Sequence, residues 1–354
     1  MANYPQLDNA SGVWNLRDVY DAVTGGYWPN ANNRAIVAGG FTPSYTSVIS
    51  DFNMASSGTT TSFGSLDIAR GEFGAMSNFT RCVFAGGNET PGGTNSNTLD
   101  YVQFATKGNT ANFGTIGADS QRTQGVGGNA TRGVFTEGTS DTNQIQYITI
   151  NSLGNAVDFG DRTLSGTYAA GVTSPTRTCF GGAFTPSTSN VIDFIEIATT
   201  GNAVDFGDLS NSIRDAGGCS SSTKGVFMAG ITPSYLNVLD LITIASQGNA
   251  TDYGDLTSAA RGNTGVSNSV AGFSCGGETS PAVVETINKF VIATGGTATD
   301  FGDLIEPTKN SASNSAAHGG LNDGYQGTRP IPFQEVGGDL GLFAGGSPGT
   351  ISTM

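Results

Sequence analysis

Charge is scarce in this chain. Only 12% of its 354 residues are Asp, Glu, Lys or Arg, about half the share usual in soluble domains. Cations are scarcer still, with 15 Lys and Arg against 29 Asp and Glu and a formal net charge of −14. Nucleic-acid binding needs clustered cations against phosphate, so no nucleic-acid partner is expected, and an anionic membrane surface is disfavoured for the same reason. No apolar run approaches the ~18 residues of a spanning helix, so membrane insertion is not expected either. The opening Met1-Ala2-Asn3-Tyr4-Pro5 lacks the basic and apolar regions of a secretory signal. Histidine occurs once, as His318 in a glycine-rich stretch, and Cys82, Cys179, Cys219 and Cys275 lie far apart with no C-x-x-C pair. A zinc site needs clustered ligands and a copper site needs several histidines. No cofactor is therefore expected, and the cysteines read as buried small hydrophobes.

Glycine, by contrast, is abundant. The 53 glycines are about twice the usual share; each costs a helix interior roughly 1 kcal/mol, whereas short strands and tight turns accept them. Their placement is periodic. The octet GNAVDFGD occurs twice without change, at Gly154–Asp161 and Gly201–Asp208. Its aromatic-glycine pair recurs as Phe63-Gly64, Phe113-Gly114, Phe159-Gly160, Phe206-Gly207, Tyr253-Gly254 and Phe301-Gly302, at intervals of 46 to 50 residues. A second landmark is an apolar run ending in glycines, as in Ile36–Gly40, Val83–Gly87, Cys179–Gly182 and Phe273–Gly277, with weaker copies at Val134–Gly138 and Val226–Gly230.

Each unit reads as four short strands: a small polar one, the apolar run into glycine, a strongly apolar third such as Val191–Ile197, and the DFGDL segment. Turns of Gly, Asn and Pro separate them. Four-stranded units of this length predict an all-β fold, a six-bladed β-propeller spanning residues 34–320, with a stacked solenoid as the alternative. The first strands are small enough to line a crowded central channel. Lys309–Ala316 looks like one more first strand, placed to complete the blade that opens at Arg34. Leu342–Gly346 is a further copy of the second-strand motif whose place in the ring is already taken. It fits a rim packing, a swap with a neighbour or a replacement of the N-terminal strand. Residues 321–354 otherwise read as an extended tail.

These landmarks resemble the kelch family of propellers. That family carries the glycine pair at the end of its second strand, an aromatic near the fourth, and a cation before the next first strand. The matching cations here are Arg70, Arg122, Arg214, Arg261 and Lys309, with Thr167 breaking the pattern. The resemblance implies a fold and is silent on function. The TGNAVDFGDL style of repeat and the lead-in SGVWNLRDVYDAVTGGYWP (Ser11–Pro29) also resemble segments of tailed-phage virion proteins, which implies a tail fibre or capsid decoration in an extracellular particle. Other virion subunits would then be its partners. Within residues 1–33, Asn15 is placed to cap a short helix from Leu16, and Trp14 and Val19 are placed to staple it. A helix of about ten residues is marginal alone. Trp14, Leu16, Val19, Tyr20 and Trp28 are therefore expected to dock, on the propeller itself or on another virion subunit.

The repeated carboxylates invite a chemical reading. Asp158/Asp161, Asp205/Asp208, Asp252/Asp255 and Asp300/Asp303 share a D-x-x-D spacing, yet Ser62/Ser65 and Asn112/Thr115 replace them in the first two units. Side chains that swap with Ser, Asn and Thr read as turn and ladder support accepting backbone hydrogen bonds; weak calcium sites are the alternative. A sialidase-like S-x-D-x-G-x-x-W turn and a phosphate-binding loop are both missing. What remains is surface. The second-to-third-strand loops carry Thr42-Pro43-Ser44-Tyr45, Thr185-Pro186-Ser187-Thr188, Thr232-Pro233-Ser234-Tyr235 and Glu278–Pro281. Tyrosine with small polar residues suits adaptable recognition, so Pro43, Tyr45, Thr185, Ser187, Pro233 and Tyr235 are the expected contacts to a glycan or protein of a host surface. The expectation is a non-enzymatic virion protein, with a cellular kelch-type interaction module and a carbohydrate-active enzyme as alternatives.

Overall fold

The sequence repeat closes into a ring of six antiparallel four-stranded sheets in the computed structural model, which describes residues 33–317 apart from 57, 90–93, 121, 122, 124 and 139–141. Blade 1 runs outward from the axis as Ala312–Ser315, Arg34–Ala38, Val48–Asn53 and Thr61–Ser65. Blades 2 to 6 repeat that order, with inner strands at Gly74–Ser77, Val126–Gly128, Ala170–Thr173, Gly217–Ser220 and Thr264–Ser267. Each inner strand touches the next, and the last touches the first, so the six-bladed propeller is closed. The expected closure also holds. Ala312–Ser315 pairs antiparallel with Arg34–Ala38, Ala35 facing Ser315 and Ala38 facing Ala312.

The small inner strands have a steric cause. A Cβ on Gly218 would lie 2.3 Å from the Gly171 carbonyl oxygen in the neighbouring blade, so only glycine lets the backbones meet at the axis. Between blades the contact is apolar. Each DFG aromatic packs on the blade that follows: Phe113 clusters with Phe135, Ile148 and Ile150, and Phe206 with Phe227, Ile242 and Ile244. Within a blade, edge-on pairs such as Phe194–Phe206, with centroids 5.8 Å apart, hold the aromatic against its own third strand. A buried phenylalanine contributes about 1.5–3 kcal/mol, so the repeated aromatic is the main glue of the ring. All four cysteines are buried as expected. Burial pushes the Cys219 thiol up to about 12 and raises the other three.

Strand direction gives the ring two unlike faces. Second-to-third-strand hairpins and the links between blades emerge on one, called the hairpin face. The remaining turns emerge on the other, the base. Register places both Arg34 and Ser315 at the base of blade 1. The expected N-terminal helix with Trp14, Leu16, Val19, Tyr20 and Trp28, together with His318, Leu342–Gly346 and the tail from 321, lies outside the described residues.

Candidate functional site

The doubled octet is a staple between blades, built mostly from backbone. The Gly-Asn-Ala turn of one blade docks on the outer strand of the blade before it. Gly201 N donates to Phe159 O (2.8 Å) and Ala203 N to Asp161 O (2.7 Å), while Asp161 N donates to Asn202 Oδ1 (3.1 Å). The next seam repeats the set with Gly248, Ala250 and Asn249. Gly207 is needed for the approach: its φ is 148° and a Cβ there would lie 2.5 Å from Gly248 O. Docking also covers strand edges that would otherwise be free to pair with other chains.

This corrects the expected role of the aspartates. Their peptide groups and the neighbouring asparagine carry the bonds, and most of their carboxylates do not. Asp158, Asp205, Asp252 and Asp300 are exposed. The Asp252 carboxylate accepts a backbone bond from Gly254 N at 3.2 Å, and Asp158 accepts from the Gln144 side chain. Among the described residues no three His, Cys, Asp or Glu side chains form a metal-binding cluster.

Three further sets of braces were not expected. A cation opens most second strands and reaches across the base to carbonyls of the next blade: Arg81 to Ile150 O and Asn151 O, Arg132 to Ile197 O and Ala198 O, Arg177 to Ile244 O and Ala245 O, and Lys224 to Ala293 O. Arg34 reaches Phe104 O in the same way. These cations also lie over aromatic rings, Arg132 at 4.6 Å from Tyr147 and Arg177 at 4.6 Å from Phe194. Blade 6 has Ala271 at this position and makes no such reach.

Around the channel near the base, hydroxyls link the inner strands. Ser77 donates to Ser315 O (2.9 Å), Ser315 to Ser267 O (2.8 Å) and Ser267 to Ser220 O (2.7 Å), and Thr173 donates to Gly128 O (2.7 Å). The third brace lies inside the sheets, where the central position of each third strand is polar and buried: Asp51, Asp100, Gln146, Asp193, Asp240 and Asn288. The residue four after the preceding blade's outer-strand aromatic satisfies most of them. Ser210 bonds Asp240 through N and Oγ, Thr163 bonds Asp193, and Thr257 bonds Asn288. Two carboxylates also hold buried guanidiniums, Arg162 on Asp193 and Arg70 on Asp100. Burial raises the Asp100 carboxyl above the usual range despite Arg70 beside it. The signals were legible: a cation three residues before the apolar aromatic, and an acid inside a third strand described only as apolar.

The hairpin face carries the expected recognition residues. Three tips turn about one proline, with Thr42 facing Ser44, Thr185 facing Ser187 and Thr232 facing Ser234. Pro43, Ser44, Pro186, Ser187, Pro233 and Ser234 are exposed, whereas Tyr45, Thr185 and Tyr235 are half-buried. The tyrosines belong to an arc in which aromatics and charges alternate. Tyr235 lies under Arg261 (5.4 Å to the ring centroid), Arg261 pairs with Glu278 (2.8 Å), Glu278 with Lys309 (2.7 Å), and Lys309 lies over Phe41 (5.6 Å), which meets Tyr45 edge-on. In the blades before it, Arg214 stacks on Phe184 at 4.3 Å and on Tyr168 at 5.9 Å. Burial works against the Glu278 charge, yet Lys309 and Arg261 hold its carboxyl below the usual range. Three of the cations matched to the kelch pattern thus organise this face, while Arg70 is buried and Arg122 lies outside the described residues.

The cavities along the channel are small among the described residues. Two of them measure about 40 and 50 Å³, room for a few waters each, against roughly 300 Å³ or more for small-molecule sites. In comparisons with known proteins, the chain matches no family model and no curated sequence.

Proposed function

We propose that this protein is a non-enzymatic structural component of a phage particle, a tail fibre, tip or capsid decoration, whose hairpin face attaches to a host surface. One observation carries the reading. The ring divides its chemistry, spending its cations and hydroxyls at the base on joining blades to one another, while the hairpin face keeps exposed Pro-Ser tips above half-covered tyrosines. Rigid aromatics flanked by arginine, lysine and a carboxylate suit a partner rich in hydroxyls, and they lose little entropy on binding. The resemblance of the repeat and of Ser11–Pro29 to tailed-phage virion proteins supports the setting. Assembly through residues 1–33 or 321–354 would leave the hairpin face outward.

The test has two arms. Mass spectrometry of purified particles should find the chain at a fixed ratio to the major capsid protein, and deletion of 1–33 and 321–354 together should remove it. Purified propeller should compete with particles for adsorption, and Tyr45→Ala with Tyr235→Ala should abolish that competition. Full incorporation of the doubly deleted chain would sink the anchoring idea. Capture of a soluble cellular protein with no particle found would favour an interaction module. Polysaccharide hydrolysis abolished by one point substitution would make it an enzyme.

A further inference from the structure

Three of the hairpin tips are alike. Blades 4, 5 and 1 carry Thr185-Pro186-Ser187, Thr232-Pro233-Ser234 and Thr42-Pro43-Ser44, each closed by the same Thr–Ser pairing with its proline and serine exposed. Copying of the repeat does not by itself explain the match. Blades 2, 3 and 6 read Asn88-Glu89-Thr90-Pro91, Gly138-Thr139-Ser140-Asp141 and Glu278-Thr279-Ser280-Pro281 in the corresponding sequence.

Three cations tie the matching tips together. Arg214 pairs through its backbone with Ile231, beside the blade 5 tip, while its guanidinium stacks at 4.3 Å on Phe184, beside the blade 4 tip. Arg261 pairs through its backbone with Glu278 of blade 6 and covers Tyr235 of blade 5 at 5.4 Å. Lys309 pairs through its backbone with Phe41, beside the blade 1 tip, and its Nζ meets Glu278 at 2.7 Å. Each of these cations stands three residues before an inner strand, where blades 2, 3 and 4 have Gly71, Thr123 and Thr167. The ties therefore run from blade 4 through blade 1, and they hold the three tips at a fixed spacing.

Spacing and size together define the ligand. A tip offers two exposed residues, about a tenth of the 20–30 residues a side in a stable interface, so one tip holds a partner weakly. Fixed tips reinforce one another through effective concentration when the partner repeats the group they touch. A proline ring beside a serine hydroxyl suits a hydroxylated ring, apolar on its face and hydrogen-bonding at its edge. We propose that the tips of blades 4, 5 and 1 form one array of three equivalent subsites, and that their ligand is a surface polysaccharide repeating a single unit. The inference rests on the reading of the hairpin face as the attachment face.

The probe is polysaccharide purified from a strain that adsorbs the particle, used whole and as single-unit fragments, with affinity for the full chain measured by calorimetry. Affinity per repeat unit should be about 10²–10⁴-fold higher for the polymer than for the fragment. Ser44→Asp, Ser187→Asp or Ser234→Asp alone should weaken polymer binding by about 10- to 100-fold, and the triple change should remove it. Ser280→Asp adds the same charge to blade 6 and should change nothing. All four serines are exposed, so circular dichroism melts should match wild type throughout. Four outcomes overturn the array: a single unit bound as tightly as the polymer, one tip variant that abolishes binding alone, an equal loss from Ser280→Asp, and polysaccharide left unbound by a propeller that still blocks adsorption. A propeller that does not block adsorption at all would remove the attachment reading and the array with it.

Discussion

The seam between blades 4 and 5 and the seam between blades 6 and 1 join the same kind of sheet by different means. At the first, the backbone staple is completed by Asn249, Arg177 crosses the base, and Ser210 caps Asp240. The second retains the backbone bonds, Gly58 N to Phe301 O and Thr60 N to Asp303 O, but threonine replaces the turn asparagine and Ala271 replaces the base cation. In their place stands a cluster of Phe52, Phe273 and Phe301, with centroids 4.9 to 6.0 Å apart, and Lys289 over two of the rings. The closing strand supplies the rest, through its ladder to Arg34–Ala38 and the Lys309–Glu278 pair. Chain continuity holds blades 4 and 5 close, so directional polar braces there need only fix the geometry. The closing seam must bring together residues nearly 280 positions apart, and it relies on non-directional burial and a shared sheet. Loop-closure entropy opposes both and is larger at the second.

The largest effect expected from this contrast is loss of closure. A chain ending at Thr308 removes the inner strand of blade 1 and should abolish the cooperative thermal transition, seen by circular dichroism and by rapid limited proteolysis. A cooperative melt near the wild-type temperature would show that five and three-quarter blades suffice. Next comes the buried pair at the seam of blades 3 and 4, where Arg162 and Asp193 are both within 2% of full burial. Arg162→Met should cost about 3–5 kcal/mol in denaturant unfolding by leaving the carboxylate unpaired, while Arg162→Met with Asp193→Leu should recover most of it. Equal losses in the single and double variants would mean that packing, not the stranded charge, sets the cost.

Smaller effects can be read by exchanging features between seams. Arg177→Ala should cost about 1–2 kcal/mol, from its carbonyl bonds and its stacking on Phe194. Ala271→Arg, which writes the missing brace into the closing seam, should return about 1 kcal/mol or less. Charge at the closing seam also has a pH signature. Glu278 titrates below its ordinary value of 4.5 in the folded ring, so its contribution is present above that pH and is lost as pH falls through the lowered value. Glu278→Gln should therefore cost less than about 1 kcal/mol at pH 7 for a half-buried pair still screened by solvent, read as a slightly lower melting temperature, and should converge on wild type as pH falls through that lowered value. A difference that persists in acid would assign the loss to shape rather than charge.

Much of the ring was legible because it is written six times. Glycine and aromatic landmarks reveal strand order, blade number and the closing strand, since each marks a place where backbone or ring packing admits few alternatives. Side-chain partners were harder to read. The cation opening most second strands is visible in Arg81-Cys82-Val83-Phe84 and Arg177-Thr178-Cys179-Phe180, but its acceptors are carbonyls nearly 70 residues away, which bear no sequence mark. Buried Asp193 was hidden because it sits in a run otherwise apolar, and its partner Arg162 comes three residues after an aromatic while the equivalent Arg70 comes seven after. On the hairpin face the tips were placed correctly from Thr-Pro-Ser alone. The linkage of Tyr235 to Tyr45 through Arg261, Glu278 and Lys309 needed the fold, because it spans the join between the two ends of the ring.

The smallest expected effect separates backbone from side chain in the staple itself. Asn249→Ala removes the acceptor for Asp208 N at the seam of blades 4 and 5 and should cost about 1 kcal/mol. Asp205→Asn with Asp208→Asn keeps every backbone bond of the same staple. The double change also removes two negative charges from a surface already at −14, which relieves repulsion rather than breaking a contact. It should leave the melting temperature within about 1 °C of wild type and leave any host-surface binding intact. If binding disappears while the melt is unchanged, the carboxylates act on a partner and the staple is only half of their role. If instead the melt falls as far as in Asn249→Ala, the acids support the turn through their side chains after all. The two closely matched variants thus test whether GNAVDFGD is repeated for its charges or for the path its backbone takes.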